Sequence, residues 1–208
     1  MSAIPMHPIM EQSFAVIDSE IGNHNFNFYE YAIIRRIIHS TADFEFLDLV
    51  KFSPNAIASG IDALRRGVPI VTDVSMVKQG IANLVGQTFN NPIISAVEQV
   101  KNPLPGKTRT ETGLIQCWQQ YPEAIYAIGN APTALLALCK QLDASTSPAL
   151  VIGAPVGFIS VLESKAALAS MPINQIRVEG RKGGSPVAAA IVNALIVLGW
   201  EAREAGGE

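Results

Sequence analysis

A chain of 208 residues is long enough to bury a substantial core without disulfides or metal staples, and a single domain over residues 1–208 is expected. Hydrophobic residues make up 49% of it and charged residues 16%, which is apolar for a soluble monomer and points to an oligomer interface or a broad apolar ligand site. The net charge of −3, with arginines dispersed instead of grouped, excludes a general attraction to nucleic acid.

Two helices are expected first, within residues 1–40: one near Pro8 to Glu20 and one near Phe28 to Ile38, where apolar residues recur at helical spacing. Beyond them a helix from Pro54 to Arg66 precedes a run of short β-rich segments, PIVTDV (69–74), PIISAV (92–97), AIYAIG (124–129), ALVIG (149–153) and QIRVEG (175–180). Helices are predicted near 110–120, 132–142, 160–169 and 186–198. Parallel strands need crossover connections, so this alternation predicts an α/β fold: a three-layer sandwich, Rossmann-like, with a mostly parallel central sheet. The end, GWEAREAGGE, is polar and glycine-rich, and a flexible tail is expected over 200–208.

No stretch reaches the roughly 18 uninterrupted apolar residues of a membrane span. The start, MSAIPMHPIMEQ, has no basic region leading into an apolar core, so a cytoplasmic protein with no membrane partner is expected. Cys117 and Cys139 stand in no metal-ligand spacing, and neither a zinc site nor a disulfide framework is suggested.

The glycine-containing turns AIGNAPTA, VIGAPVGF and VEGRKGGSP join strands to helices, and in an open α/β sheet ligands normally lie at the carboxyl ends of the strands. None completes a nucleotide motif: PGKTRT has Lys101 where a phosphate loop needs its first glycine, and VIGAPVGF lacks the full GxGxxG spacing. The chemically richest segment is RRIIHSTAD (35–43), where Arg36 and His39 share a helical face and set a carboxylate-holding cation beside a proton-transfer group. An imidazole in a last helical turn also serves simply to complement the free carbonyls and the dipole. Asp73 reads first as a cap, and Ser13 alone reads as a solvated helix serine.

The blocks EQSFAVI, RRIIHSTAD, FSPNAI, GVPIVTDVSMV, TRT, AIGNAPTA, GAPVGFISVLESK and GRKGGSPVAAA, in that order, resemble the precorrin-8X methylmutase family, also called cobalt-precorrin-8 methylmutases, from about Pro8 to Leu195. The resemblance implies an isomerase that moves the C-11 methyl of precorrin-8X or cobalt-precorrin-8 to C-12, giving hydrogenobyrinate or its cobalt counterpart in cobalamin biosynthesis. It implies a homodimer with each site near the subunit interface, and a [1,5]-sigmatropic shift that needs no cofactor or external nucleophile. By the same resemblance His39 is the proton donor and acceptor, while Ser13, Arg36 and Arg109 bind substrate. A non-catalytic corrinoid or tetrapyrrole carrier is the competing expectation, and it has no need of His39.

Overall fold

Six short strands form one sheet in the order β1-β6-β5-β4-β2-β3. The computed structural model describes residues 7–142 and 146–206. The strands are β1 (Val50–Phe52), β2 (Ile70–Thr72), β3 (Ile93–Ser95), β4 (Ile125–Ile128), β5 (Leu150–Gly153) and β6 (Gln175–Val178). All neighbouring pairs are parallel except β1 with β6, which run antiparallel with Val50 opposite Val178.

Successive side chains of a strand point to opposite faces, and here the alternation divides the apolar residues between two cores. Ile70, Ile125, Ala127, Leu150 and Ile152 face one helical layer, whereas Val71, Tyr126, Ile128 and Val151 face the other. The first layer holds α1 (Pro8–Ile21), α2 (Phe28–Thr41), α4 (Ala56–Arg65), α5 (Ser75–Gln87) and α10 (Ser185–Gly206). The second holds α6 (Ala96–Gln99), α7 (Arg109–Gln120), α8 (Pro132–Gln141) and α9 (Val161–Ala169). A short α3 (Phe46–Leu49) leads into β1. The three-layer, mostly parallel sandwich expected from the sequence is the architecture observed.

Three differences from the expected elements have physical causes. Strand β1 is only three residues long, too short to show alternation, and its pairing comes from β6 far along the chain. Helix α5 carries Gly80 and Gly86, which weaken its helical signal. Gly80 is there for packing: a Cβ on it would lie 2.8 Å from the Cβ of Ala189 on α10. Finally, the expected tail continues as helix to Gly206, anchored by Trp200, which is buried and edge-on to Phe89; residues 207–208 lie outside the described residues.

By length and composition α10 is apolar enough to cross a membrane, but 72% of its apolar window is buried inside the protein. It packs against α2, α4 and α5, as the central helix of the first layer.

The crevice where this topology would ordinarily receive an anion is already filled. The connections diverge between β2 and β4, and there the Asp73 carboxylate accepts hydrogen bonds from the amides of Gly129 (3.1 Å), Asn130 (2.7 Å) and Ala131 (2.8 Å), leading into α8, and from Val74 (3.0 Å). Burial pushes its carboxyl up from the ordinary range, and the four amides pull it back. The cap expected of Asp73 is thus an internal anion plug, which suits the broken nucleotide motifs. Asp73→Asn turns one acceptor into a donor facing amides and is expected to cost about 3 kcal/mol in urea unfolding. A change below about 1 kcal/mol would show that the plug contributes little.

Candidate active site

The proton-transfer candidate stands where α1 and α2 meet. Helix α2 starts with a capping box, in which the Asn27 side chain accepts from the amide of Glu30 while the Glu30 carboxylate accepts from the amide of Asn27. It ends at Ala42 in a left-handed conformation, so His39 lies in its last turn. Ile33, Ile34, Ile37 and Ile38 form the buried stripe that seats the helix, leaving His39 on the open side.

Ser13 of α1 meets His39 directly, with Oγ 2.7 Å from Nδ1. This leaves Nε2 as the nitrogen able to exchange a proton with a ligand, and when the ring is charged the serine oxygen can accept from Nδ1–H. Phe14, the next residue on α1, is edge-to-face with the imidazole at 5.4 Å and carries the Arg35 guanidinium over its ring at 4.3 Å. Arg35 in turn pairs with Asp18 at 2.9 Å, and the Tyr31 hydroxyl donates to the same carboxylate; burial first, and this hydrogen bond second, push the Tyr31 phenol up to about 12. Asp18, Arg35 and Tyr31 therefore lock α1 onto α2 and set the Ser13–His39 pair.

Arg36, one turn before His39, is half-buried and makes no hydrogen bond or ion pair with the described residues. It lines a cleft of about 80 Å³ with Phe14, Phe28, Leu198 and Glu201. Burial lowers its pKa from the ordinary value. A half-buried guanidinium with no partner among the described residues has a planar fork of donors that matches a carboxylate. Partial burial also lowers the His39 pKa, and the positive charge of Arg36 lowers it further.

Arg109 lies elsewhere, in the second layer at the first turn of α7. Its Nε and Nη2 donate to the carbonyls of Val100 (3.2 Å) and Val97 (3.0 Å), fastening α7 to the segment after β3. A single chain thus brings Ser13, Arg36 and His39 together and leaves Arg109 on the far side of the sheet. A cleft of about 560 Å³ between Asn27, Phe52, Ile57 and Arg65 contains none of the four.

Sequence reasoning did not single out the tie between the glycine turn and the histidine helix. Lys182 Nζ contacts Asp43 at 2.6 Å and Glu45 at 2.8 Å, and it holds the Asp43 carboxyl below its usual range. Asp43 closes the RRIIHSTAD block, but a partner 139 residues away leaves no local signal. Large apolar residues stand exposed at the carboxyl ends of the strands: Met76 after β2 and Val156, Phe158 and Ile159 after β5.

Together the layers and this cluster define an α/β protein with a serine–histidine pair, a half-buried arginine beside it and an exposed apolar rim. The family described as CbiC, Precorrin-8X methylmutase, matches residues 8–198, so the chain belongs to the precorrin-8X methylmutase family and is an isomerase of cobalamin biosynthesis. It is 59% identical to the cobalt-precorrin-8 methylmutase of Synechocystis sp., covering 95% of this chain and 98% of that one. The precorrin-8X methylmutase of Pseudomonas aeruginosa is 38% identical, over 90% and 93% of the two chains. The crystal structure of precorrin-8X methyl mutase from Thermus thermophilus superposes with a TM-score of 0.85 at 38% identity, covering 93% of this chain and 96% of that one.

Proposed function

We propose that this chain binds precorrin-8X or cobalt-precorrin-8 across the Ser13–His39–Arg36 surface and moves the C-11 methyl to C-12. The observation that carries the assignment of roles is the 2.7 Å Ser13–His39 contact beside an arginine that has no partner among the described residues. Arg36 takes a substrate carboxylate and orients the ring. His39, as imidazolium, gives the Nε2 proton to the conjugated macrocycle while Ser13 accepts from Nδ1–H. Protonation draws electron density from the bond to be broken, the methyl migrates, and the proton returns to His39 as the corrin chromophore forms. The reaction is an isomerisation with no net proton change, and no cofactor enters the scheme.

Substrate helps to charge its own acid. A carboxylate on Arg36 offsets the positive charge that depresses the His39 pKa, so binding favours the imidazolium. Ser13 is placed to serve both the ring nitrogen and the substrate.

The working unit is a homodimer. The exposed Val156, Phe158 and Ile159 form an apolar edge that a macrocycle and a second chain together would cover. In such a pair Arg109, remote from His39 within one chain, would reach the substrate rim from the partner, its Nη1 being free of the two carbonyl contacts. Sedimentation should give twice the 22.2 kDa chain mass; a strict monomer with full activity would refute this arrangement. The same reading places the enzyme in the cytoplasm, without a membrane or nucleic-acid partner. The function itself is tested by following purified protein with precorrin-8X, metal-free and cobalt-loaded, for appearance of the corrin absorbance spectrum.

A further inference from the structure

Lys165 of α9 is only 4% exposed, yet among the described residues it has no carboxylate partner. Its Nζ instead donates to two backbone carbonyls of the glycine turn after β6, Gly180 at 2.8 Å and Lys182 at 2.6 Å. A buried ammonium is costly to desolvate, so one held by backbone carbonyls, with no counter-charge among the described residues, calls for a reason to be there. Burial brings it down to about 8, which leaves it charged and donating at neutral pH.

The turn it grips is pressed tightly onto its surroundings. Gly183 has φ +152°, and a Cβ there would lie 2.4 Å from the Ala154 carbonyl oxygen. Gly184 donates to that same oxygen at 2.8 Å, and Gly157 donates to the Arg181 carbonyl at 3.4 Å, so the turns after β5 and β6 are held together. From the outer side of the turn, the Lys182 side chain reaches Asp43 and Glu45, just beyond the helix that carries His39. Thus the backbone of Lys182 is held from within by Lys165, while its side chain holds the end of α2.

We propose that Lys165 is a positioning residue for substrate: it fixes the 180–184 turn in the shape that closes the apolar rim at Val156 and Phe158 and ties that rim to the His39 helix through Lys182 and Asp43. The proposal rests on the reading of this surface as the substrate site. Ser13 and His39 are set by α1 and α2 alone, so the turn governs how the macrocycle is seated more than the proton-transfer pair itself.

Lys165→Met in the full-length protein is expected to raise KM about tenfold or more and change kcat less than about threefold, as loss of uniform binding does. Asp43→Asn weakens the same line at its outer end, leaving Glu45 on Lys182. If the line is continuous, the double variant Lys165→Met with Asp43→Asn shows less than the product of the two single effects on KM. Independently of turnover, hydrogen exchange at the amides of 180–184 is expected to speed up in Lys165→Met while the strands keep their protection. Should Lys165→Met not fold, Lys165→Gln, which keeps a donor at shorter reach, takes its place in every measurement. Unchanged exchange in the turn, or an unchanged KM in a protein whose turn has loosened, overturns the proposal. Lack of methylmutase turnover in the wild type, with the turn loosened as expected, would instead reject the functional reading on which it rests.

Discussion

Replacing His39 with alanine is expected to lower kcat by about 10²- to 10⁴-fold, the usual worth of a positioned general acid–base group, while substrate binding and the fold stay nearly unchanged. The expectation follows from where the ring sits. Its Nδ1 is engaged by Ser13 and one ring edge packs against Phe14, but the residue lies outside the isoleucine stripe that seats α2. Removing it therefore takes away a proton carrier without opening a core cavity. The activity that remains reflects orientation and fixed electrostatics around the bound ring. Turnover by His39→Ala at the wild-type rate would assign proton transfer elsewhere, and a comparable fall in binding would recast His39 as a ligand holder.

Arg36 should fail differently. Arg36→Lys keeps a positive charge but loses the planar fork that matches a carboxylate, and KM is expected to rise about tenfold or more with kcat less affected. Arg36→Gln goes further by removing the charge that depresses His39. Because that charge disfavours the imidazolium, its loss is expected to raise the His39 pKa from its lowered value toward the ordinary one, and a bound carboxylate should do the same in the wild type. An NMR titration of the imidazole reads both shifts. A His39 pKa unmoved by Arg36→Gln would show that the two side chains are electrostatically independent; unchanged kinetics in Arg36→Lys would remove the carboxylate contact.

The sheet was legible because three of its strands, β2, β4 and β5, are short, largely apolar runs buried along their whole length as parallel strands require. What escaped was set by tertiary partners. Strand β1 is three residues defined by its pairing with β6, and Gly80 masks α5 because the glycine answers to Ala189 on another helix. The site divides in the same way. Arg36 and His39 are three apart on one helix, so periodicity alone puts them together. Ser13 lies 26 residues from His39, and only the family resemblance marked it. Lys165 meets the glycine turn through backbone carbonyls, which leave no residue-specific trace in a sequence, and Asp43 meets a lysine side chain 139 residues away.

A corrinoid carrier with this fold would also use Arg36 and the apolar rim, so binding alone does not separate carrier from enzyme. Conversion does. The most direct measurement is an absorbance time course of purified protein with metal-free precorrin-8X and, separately, with cobalt-precorrin-8. The substrate spectrum is expected to give way to that of the corrin product with at least one of the two, at a rate proportional to enzyme concentration and strongly reduced in His39→Ala. Binding of both compounds with no corrin spectrum from either would contradict the methylmutase reading.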